Sequence, residues 1–159
     1  MSHVMEYLQG RGVTFTVIPH RRATTAGGEV HALGLPGEEV VKTVVVVAKN
    51  GPALMVVPAS RMLDLGLVGE AVGDAKVRLA TERELAKQFP DYEVGAVPPL
   101  SMLLLVPMYI DPVVADREQI VFAAGRQDVS IRMATTDLVG TDPVVIAPLT
   151  VESDATAIT

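Results

Sequence analysis

The sequence contains no cysteine and no tryptophan, and it has only three phenylalanines and three tyrosines. Without cysteine there is no disulfide framework, no thiolate metal ligand and no cysteine nucleophile, which is compatible with a cytosolic protein. The scarcity of aromatic rings disfavours the stacking platforms on which single-strand nucleic-acid binders depend. The core must therefore be mostly aliphatic.

No apolar run is long enough to cross a bilayer. The longest, residues 102–110, is interrupted by Pro107, whereas a membrane helix needs about 20 apolar residues. We therefore predict a soluble, cytoplasmic protein with no membrane association. With 159 residues, 49% of them hydrophobic and 20% charged, the chain can bury a sizeable core, and we predict a single domain over residues 1–151 with a frayed tail at 152–159.

The formal net charge of -6 argues against a broad nucleic-acid interface, which requires a cationic surface. The charge is unevenly distributed. Residues 1–90 hold ten Lys and Arg against nine acids, and residues 91–159 hold three against ten. A small contact, such as one nucleic-acid end, stays compatible with this distribution.

Local signals predict a mixed α/β (α+β) fold with an antiparallel-rich sheet. Asn50-Gly51 between two apolar runs predicts a hairpin of residues 41–48 and 53–57. Thr25 and Thr81 are predicted helix N-caps, and Thr81 with Glu84 forms a capping box. Further strands are predicted at residues 14–18, 76–79, 102–105, 108–110, 119–124 and 129–133. Further helices are predicted after Ser2, from Pro36, from Ser60 to residue 72, after Asp111 and from Thr135, while the tail beyond Gly140 offers little.

Lys42 lies within an almost unbroken run of β-branched apolar residues, 40–47. Such a run is typical of a strand covered on both faces, where an unpaired cation is costly. One interpretation is a lysine at a strand end that reaches water or pairs with Glu38 or Glu39. The other is a lysine that lines a cavity and awaits an anionic ligand.

Residues 95–99 combine one glycine with two prolines, so their backbone course is stiff. The segment is either a rigid connector or a loop that aims peptide N–H groups at a carbonyl. His3, His20 and His31 are scattered without metal-ligand spacing, and no serine has a G-x-S-x-G context. We therefore predict no metal, no cofactor and no serine triad, and we interpret His20 as part of a solvated loop or of a phosphate-contacting rim.

The order and spacing of several segments resemble the YbaK and prolyl-tRNA synthetase insertion-domain family of aminoacyl-tRNA deacylases. These segments are residues 41–43, the hairpin at Asn50-Gly51, and residues 63–65, 76–80, 94–100, 123–126 and 137–138. The resemblance implies a barrel-like sheet surrounded by short helices. It also implies that Lys42 is the functional lysine that engages the terminal phosphate or ribose of tRNA, and that residues 95–99 are the Gly-x-x-x-Pro loop that holds the aminoacyl group.

In this family hydrolysis needs no protein nucleophile, because the site positions a water and the substrate contributes its own hydroxyl. The resemblance implies Lys42 as the catalytic residue, and as substrate-binding residues Thr43, Gly95, Ala96, Val97, Pro98, Pro99, Ala123, Gly125 and Ser130. Ala123 and Ser130 replace the Ser and Asp of thiol-handling bacterial members, which favours a small amino acid other than cysteine. Ser101 stands where many relatives have Gly, which bears on the width of the loop.

We therefore expect a free-standing hydrolase that removes a small amino acid from the acceptor end of mischarged tRNA, with an aminoacyl-tRNA synthetase as a further partner. The alternative is a non-catalytic protein whose pocket binds an aminoacyl-nucleotide or a synthetase. A third interpretation is a domain in which Lys42 pairs with a glutamate and has no cavity beside it.

Overall fold

The computed structural model describes residues 3–141 and 143–152. In this part of the chain, helices and strands alternate irregularly. The helices are α1 (His3–Gly10), α2 (Ala26–Leu33), α3 (Leu65–Val72), α4 (Glu82–Gln88), α5 (Ser101–Leu104), α6 (Pro112–Ala115) and α7 (Thr135–Thr141). The strands are β1 (Phe15–Pro19), β2 (Val40–Ala48), β3 (Gly51–Pro58), β4 (Arg61–Leu63), β5 (Arg78–Leu79), β6 (Met108–Ile110), β7 (Gln119–Arg126), β8 (Val129–Ala134), β9 (Val145–Ile146) and β10 (Thr150–Glu152).

Most of the strands form a mixed sheet in the order β1-β8-β7-β2-β3-β6-β9, and β5 pairs with β2 beside this path. The pairs β1·β8, β7·β8, β2·β3 and β2·β5 are antiparallel, whereas β2·β7, β3·β6 and β6·β9 are parallel. A separate two-stranded sheet joins β4 to β10. The mixed α/β class and the antiparallel-rich sheet are therefore confirmed.

The β2·β3 hairpin is the centre of the fold, because its two faces support two apolar clusters. Val41, Val45 and Val56 belong to one cluster, and Val46 and Met55 belong to the other. Burying an aliphatic side chain of this kind contributes about 1.5–3 kcal/mol. The run of valines is thus a strand covered on both faces, as its sequence predicts.

Several local predictions are confirmed. The predicted hairpin forms, although its two-residue turn is Lys49-Asn50, because Gly51 already begins β3 opposite Ala48. Thr25 caps α2 and Thr81 caps α4 within a capping box. Helices α6 and α7 begin at Pro112 and Thr135 as predicted.

Other local predictions are wrong. Residues after Pro36 form a turn rather than a helix, closed by a hydrogen bond from the Glu39 amide to the Pro36 carbonyl at 3.0 Å. Ser60 does not cap a helix, because β4 intervenes and Asp64 caps α3 instead. Residues 102–105 are not a strand, since α5 occupies them up to residue 104 and Leu105 ends that helix in the left-handed region.

The segment beyond Gly140 contributes two short strands that its composition does not predict. Beyond Gly140, β9 pairs with β6 and β10 pairs with β4. The predicted cap at Ser2 and residues 153–159 of the predicted frayed tail lie outside the described residues. The first residue of that tail, Glu152, is not frayed, because it pairs with Arg61 at the end of β10. Within residues 3–141 and 143–152, no helix is both long and apolar enough to cross a membrane.

Candidate active site

A cleft of about 260 Å³ opens along one edge of β2. On this edge β2 pairs with β7 only at residues 40–41 and with β5 only at residues 46–47. The stretch between these two pairings has no strand partner on this side in the described chain, and residues 42–45 line the cleft. The cleft is therefore a gap in the sheet, whose other walls come from α2, α4 and the loop at residues 94–97.

The cleft brings together four of the residues predicted for the site: Lys42, Thr43, Gly95 and Val97. Its remaining lining is almost entirely apolar and comprises Ala26, Val44, Val45, Leu79, Ala80, Leu85 and Val94. A small apolar space beside one cation and a peptide loop suits a ligand that has an anionic end for Lys42 and a compact, uncharged end for the apolar wall.

Lys42 is half-buried, and burial lowers the pKa of its ammonium group. Its Nζ donates a hydrogen bond to the backbone carbonyl oxygen of Arg61 at 3.1 Å. Within the described residues no carboxylate forms an ion pair with Lys42, and Glu39 pairs instead with Arg117 at 3.3 Å. The interpretation in which Lys42 pairs with a glutamate and lines no cavity is therefore wrong.

The carbonyl that holds Lys42 belongs to a strand tied down by a buried polar network. Arg61 Nε donates to Thr150 Oγ1 at 2.8 Å, and that hydroxyl donates to Asp111 Oδ2 at 2.9 Å. Asp111 is 2% exposed and also accepts from the amides of Val113 and Leu149, each at 2.9 Å. The sequence predicts Asp111 only as a helix cap, because its second oxygen binds residues almost forty positions away.

Thr43 lies on β2 opposite Val56. Its Oγ1 is buried and has no hydrogen-bond partner in the described part of the chain. A buried hydroxyl without a partner costs about 1–3 kcal/mol. Thr43 lines the cleft through its other atoms, because Oγ1 itself is inaccessible.

Gly95 is held in a conformation that only glycine adopts readily, with φ of 80°. The loop around it is fixed by hydrogen bonds from the Ala96 amide to the Glu93 carbonyl at 3.0 Å and from the Gly125 amide to the Ala96 carbonyl at 2.8 Å. The amide N–H groups of Gly95 and Val97, in contrast, have no hydrogen-bond partner among the described residues. Because both residues line the cleft, these two amides are candidate donors to a ligand there.

Glu93 anchors this loop from outside. Its carboxylate accepts hydrogen bonds from Arg22 at 2.6 Å and from the Gln127 amide at 3.0 Å, and these bonds lower its pKa. The side chain of Gln127 also donates to the carbonyl of Val94 at 2.8 Å. The loop is thus positioned before a ligand arrives.

Ala96, Pro98 and Pro99 are buried and do not line the cleft. They form the packed rear of the loop, and the amide of Leu100 donates to the Pro98 carbonyl at 2.9 Å. Ser101 is also buried, with its hydroxyl donating to the Val106 carbonyl at 2.6 Å. The serine that replaces a family glycine is therefore used to shape α5 and does not line the cleft.

The three predicted site residues on β7 and β8 do not line the cleft. Ala123 is opposite Ser130 in the β7·β8 register, and Gly125 supports the loop through its backbone. Ser130 is fully buried, and its hydroxyl binds Glu29 of α2. Their predicted contact with substrate stays a prediction.

Sequence reasoning missed Glu29. This residue is buried at 5% exposure, and burial raises the pKa of its carboxyl to about 7 while the Ser130 hydroxyl opposes the shift. His20 Nε2 lies 2.8 Å from the same hydroxyl. Nothing in the local sequence indicates that this glutamate is buried, because the burial arises from the packing of α2 on the sheet.

Comparison with known proteins shows which family the chain belongs to. The family model described as the aminoacyl-tRNA editing domain matches residues 20–141. The hypothetical protein APE2540 has a similar crystal structure, with a TM-score of 0.84 and 25% identity over 93% of this chain and 99% of that one. A protein proposed to be a trans-editing enzyme for prolyl tRNA synthetase is also similar, with a TM-score of 0.81 and 27% identity over 93% of this chain and 94% of that one.

The family match covers Lys42, the loop at residues 95–99 and the β7·β8 pair, and both structural relatives span nearly the whole chain. These findings support a role in deacylating aminoacyl-tRNA. The chain belongs to the aminoacyl-tRNA editing domain family.

Proposed function

We propose that this protein is a trans-editing hydrolase that cleaves the ester of mischarged tRNA carrying a small amino acid. The observation that carries the proposal is the cleft in which Lys42 and the loop of Gly95 face one ligand-sized space. Its volume of about 260 Å³ is just below the range of roughly 300–1,000 Å³ that small-molecule sites have, which favours a small aminoacyl group over a large one.

The apolar wall supports the choice of substrate. Val45, Leu85 and Val97 line the cleft and offer apolar contact to a short side chain. Apolar pockets discriminate weakly between substrates that differ by one methylene, by about 1–3 kcal/mol. We therefore propose a class of small amino acids and leave the member to experiment.

The loop supports the reaction. In the proposed complex the amide N–H groups of Gly95 and Val97 donate to the ester carbonyl oxygen, which becomes an oxyanion when water attacks. One such donor contributes about 10²–10³ to kcat in other acyl-transfer enzymes. Because these donors are fixed by the contacts of Glu93 and Gly125, they cost little reorganisation during the reaction.

Lys42 supports the binding of the tRNA end. A half-buried ammonium without a carboxylate partner in the described chain can contact the terminal phosphate or the ribose. Water adds to the ester carbon, the carbon–oxygen bond to the ribose breaks, and a neighbouring ribose hydroxyl assists by orienting the water. The products are the free amino acid and the uncharged tRNA, and the leaving ribose oxygen takes up a proton from the attacking water.

The contact required is small, since it involves the last nucleotide and its amino acid. An acidic protein can make such a contact without a broad cationic surface. Because one structural relative is proposed to edit for prolyl tRNA synthetase, the proline-specific tRNA is the first tRNA to test. We propose a synthetase as a further partner.

The test is deacylation of proline-specific tRNA mischarged with Ala, Ser, Cys or Thr. The rates are compared among wild type, Lys42→Ala and the exposed control Lys76→Ala. We expect wild type and Lys76→Ala to hydrolyse one or more substrates at similar rates, and Lys42→Ala to lose about 10–100-fold, the cost of one charge-assisted contact. Absence of hydrolysis by folded wild type across this panel and a second tRNA panel would favour the non-catalytic pocket protein instead.

A further inference from the structure

A second cavity lies beside the cleft, with a volume of about 400 Å³ against about 260 Å³ for the cleft. Helix α4 supplies much of its lining, so we call it the α4 cavity. Val45, Ala80 and Leu85 line both spaces. The cleft and the α4 cavity therefore meet at these three residues.

One face of β2 runs through both spaces. Side chains alternate along a strand, so Thr43, Val45 and Val47 lie on the same face of β2. Thr43 and Val45 line the cleft, whereas Val45 and Val47 line the α4 cavity. A ligand that lies along this face can therefore occupy the cleft and the α4 cavity at the same time.

The α4 cavity combines apolar walls with a few polar side chains. Val47 and Pro52 are opposite each other in the β2·β3 register and line it on the side of the hairpin. Leu85 and Phe89 line it on the side of α4. Its polar lining consists of Glu84, Lys87 and Gln88. A nucleobase has a matching division, because its flat faces are apolar and its edges donate and accept hydrogen bonds.

The charges in this lining do not favour an anion. Glu84 accepts two hydrogen bonds from Arg78, at 2.7 and 2.9 Å, and this pairing lowers the pKa of its carboxyl to about 2. Glu84 is therefore ionised at neutral pH and offsets the charge of Lys87. Within the described residues the side-chain amide of Gln88 has no hydrogen-bond partner, and such an amide can both donate to and accept from the edge of adenine. The α4 cavity thus suits an uncharged group with polar edges, whereas Lys42 offers the cleft a cation.

The proposed substrate needs more space than the cleft provides. Its ester joins the amino acid to the ribose of the terminal adenosine of tRNA, so the aminoacyl group and the base extend from the same sugar. The cleft alone is smaller than the roughly 300–1,000 Å³ of small-molecule sites. With the aminoacyl group in the cleft, the base must lie in a neighbouring space or in water. The α4 cavity is contiguous with the cleft and has the lining that a base requires.

We propose that the α4 cavity is the subsite for the adenine base of the terminal nucleotide of tRNA, while the cleft holds the aminoacyl group. The inference rests on the proposed function for the identity of this nucleotide. In the complex the substrate lies along β2, with its phosphate or ribose near Lys42 and its base between Val47 and Gln88. Binding of the base fixes the ribose, and it thereby orients the ester toward the loop of Gly95.

The first test compares adenosine monophosphate with ribose 5-phosphate, which lacks the base. Val47 lines only the α4 cavity and Val44 lines only the cleft, so NMR signals of their methyl groups report on the two spaces separately. We expect adenosine monophosphate to shift the Val47 signals, ribose 5-phosphate to leave them unchanged, and the nucleotide to bind about tenfold more tightly. The proposal is overturned if the nucleotide at millimolar concentration leaves Val47 unshifted, or if the two ligands bind equally.

Val47→Phe fills the α4 cavity at a position that does not line the cleft. The matched control is Val17→Phe, the same change at an exposed position of the edge strand β1. We expect Val47→Phe to lose the preference for the nucleotide over ribose 5-phosphate and Val17→Phe to keep it. A folded Val47→Phe protein that keeps the full preference overturns the proposal. The methyl signals are measured in wild type, so they decide the question even if this variant does not fold.

The second test is the deacylation of mischarged tRNA by the same two variants. We expect Val47→Phe to raise KM several-fold with little change in kcat, because the base makes the same contacts in the ground state and in the transition state. A KM equal to that of Val17→Phe overturns the role of the α4 cavity in the reaction. If wild type hydrolyses no mischarged tRNA, the proposed function fails, while the methyl signals still decide whether the α4 cavity binds adenine. If wild type hydrolyses the substrate and Val47 does not respond to the nucleotide, only the present inference fails.

Discussion

Gly95 packs against the backbone carbonyl oxygen of Thr24 so closely that a Cβ atom at position 95 would overlap it. The same residue has φ of 80°, so both space and backbone conformation require glycine here. This contact joins the loop of the cleft to the start of α2. It explains physically why the loop begins with glycine.

Gly95→Ala should therefore distort the loop and abolish most of the deacylase activity. The left-handed conformation alone costs about 1–2 kcal/mol for a residue with a Cβ, and the overlap with Thr24 adds to it. Thermal unfolding and kcat/KM measure the two effects. Gly10→Ala is the control, because nothing lies within 4 Å of a Cβ there; a Gly95→Ala protein as active and as stable as this control would contradict the assignment.

Lys42→Met should separate activity from stability. Burial disfavours the charged ammonium in the folded state, as its lowered pKa indicates, so an apolar side chain of similar length removes a desolvation cost. We expect a free energy of unfolding equal to or above that of wild type, together with a 10–100-fold loss of deacylation. Urea denaturation and the deacylation assay test this, and a parallel loss of both properties would show that Lys42 is chiefly structural.

Glu29 should make the stability of the protein depend on pH. Its carboxyl has a pKa of about 7 in the folded protein against 4.5 as the ordinary value, so the folded state binds the proton more tightly than the unfolded state. The stabilisation from this group is complete below about pH 4.5 and is lost as the pH rises through about 7, a change of about 3 kcal/mol. Urea denaturation across this range should show the decline in wild type.

Glu29→Gln should remove that decline, since a carboxamide does not titrate. The matched control is Glu70→Gln, which alters an exposed glutamate on α3 and should leave the pH dependence as it is in wild type. Equal slopes in wild type and Glu29→Gln would contradict the assignment of the raised pKa to this residue.

Asp111 and Asp64 both cap helices, yet they should respond differently to asparagine. Asp64 accepts one amide hydrogen bond, from Leu67 at 3.0 Å, and asparagine is an equally good cap. Both oxygens of Asp111 accept hydrogen bonds, and Oδ2 receives both the Leu149 amide and the Thr150 hydroxyl. In Asp111→Asn, the NH₂ group would replace one of these two oxygens and would face a hydrogen-bond donor in either orientation of the side chain.

We therefore expect Asp111→Asn to lose about 2–3 kcal/mol of unfolding free energy and Asp64→Asn to lose little. Equilibrium denaturation distinguishes the two variants. Because Thr150 also accepts from Arg61 Nε, the Asp111 variant should in addition weaken the β4·β10 sheet. Similar losses in the two variants would show that the buried network contributes nothing beyond the cap.

Several features were predictable because the forces that make them act over a few residues. The capping box at Thr81, the cap at Thr25 and the hairpin at Asn50-Gly51 each depend on hydrogen bonds or turn preferences within four positions. Lys42 was conspicuous because a cation in a valine strand is costly wherever that strand packs, but the strand alone left open whether the lysine reached water, paired with a glutamate or lined a cavity. The family resemblance then indicated the loop at residues 95–99, a segment whose glycine and prolines restrict its backbone without specifying its neighbours.

The missed strands and the wrong helix and strand predictions have a common physical cause, which is pairing or packing with distant residues. β9 and β10 are two and three residues long and are created by pairing with β6 and β4, so they leave no periodic pattern. The apolar run at residues 102–105 fits a strand or a helix, and in the structure it follows a helical turn, with the amides of Leu104 and Leu105 donating to the carbonyls of Leu100 and Ser101. Asp64 rather than Ser60 caps α3 because residues 61–63 form β4 and pair with β10, so the helix begins only after that strand.

The sequence by itself therefore determined the caps at Thr25 and Thr81, the central hairpin and the two-faced burial of β2, since propensity, capping and desolvation act through neighbouring positions. Only the tertiary structure decided the cleft, because it is a gap between the pairings of β2 with β7 and with β5. The same holds for the burial of Glu29 beside Ser130, two residues separated by 101 positions in the chain. Such contacts depend on how distant elements pack together, and no short stretch of sequence encodes them.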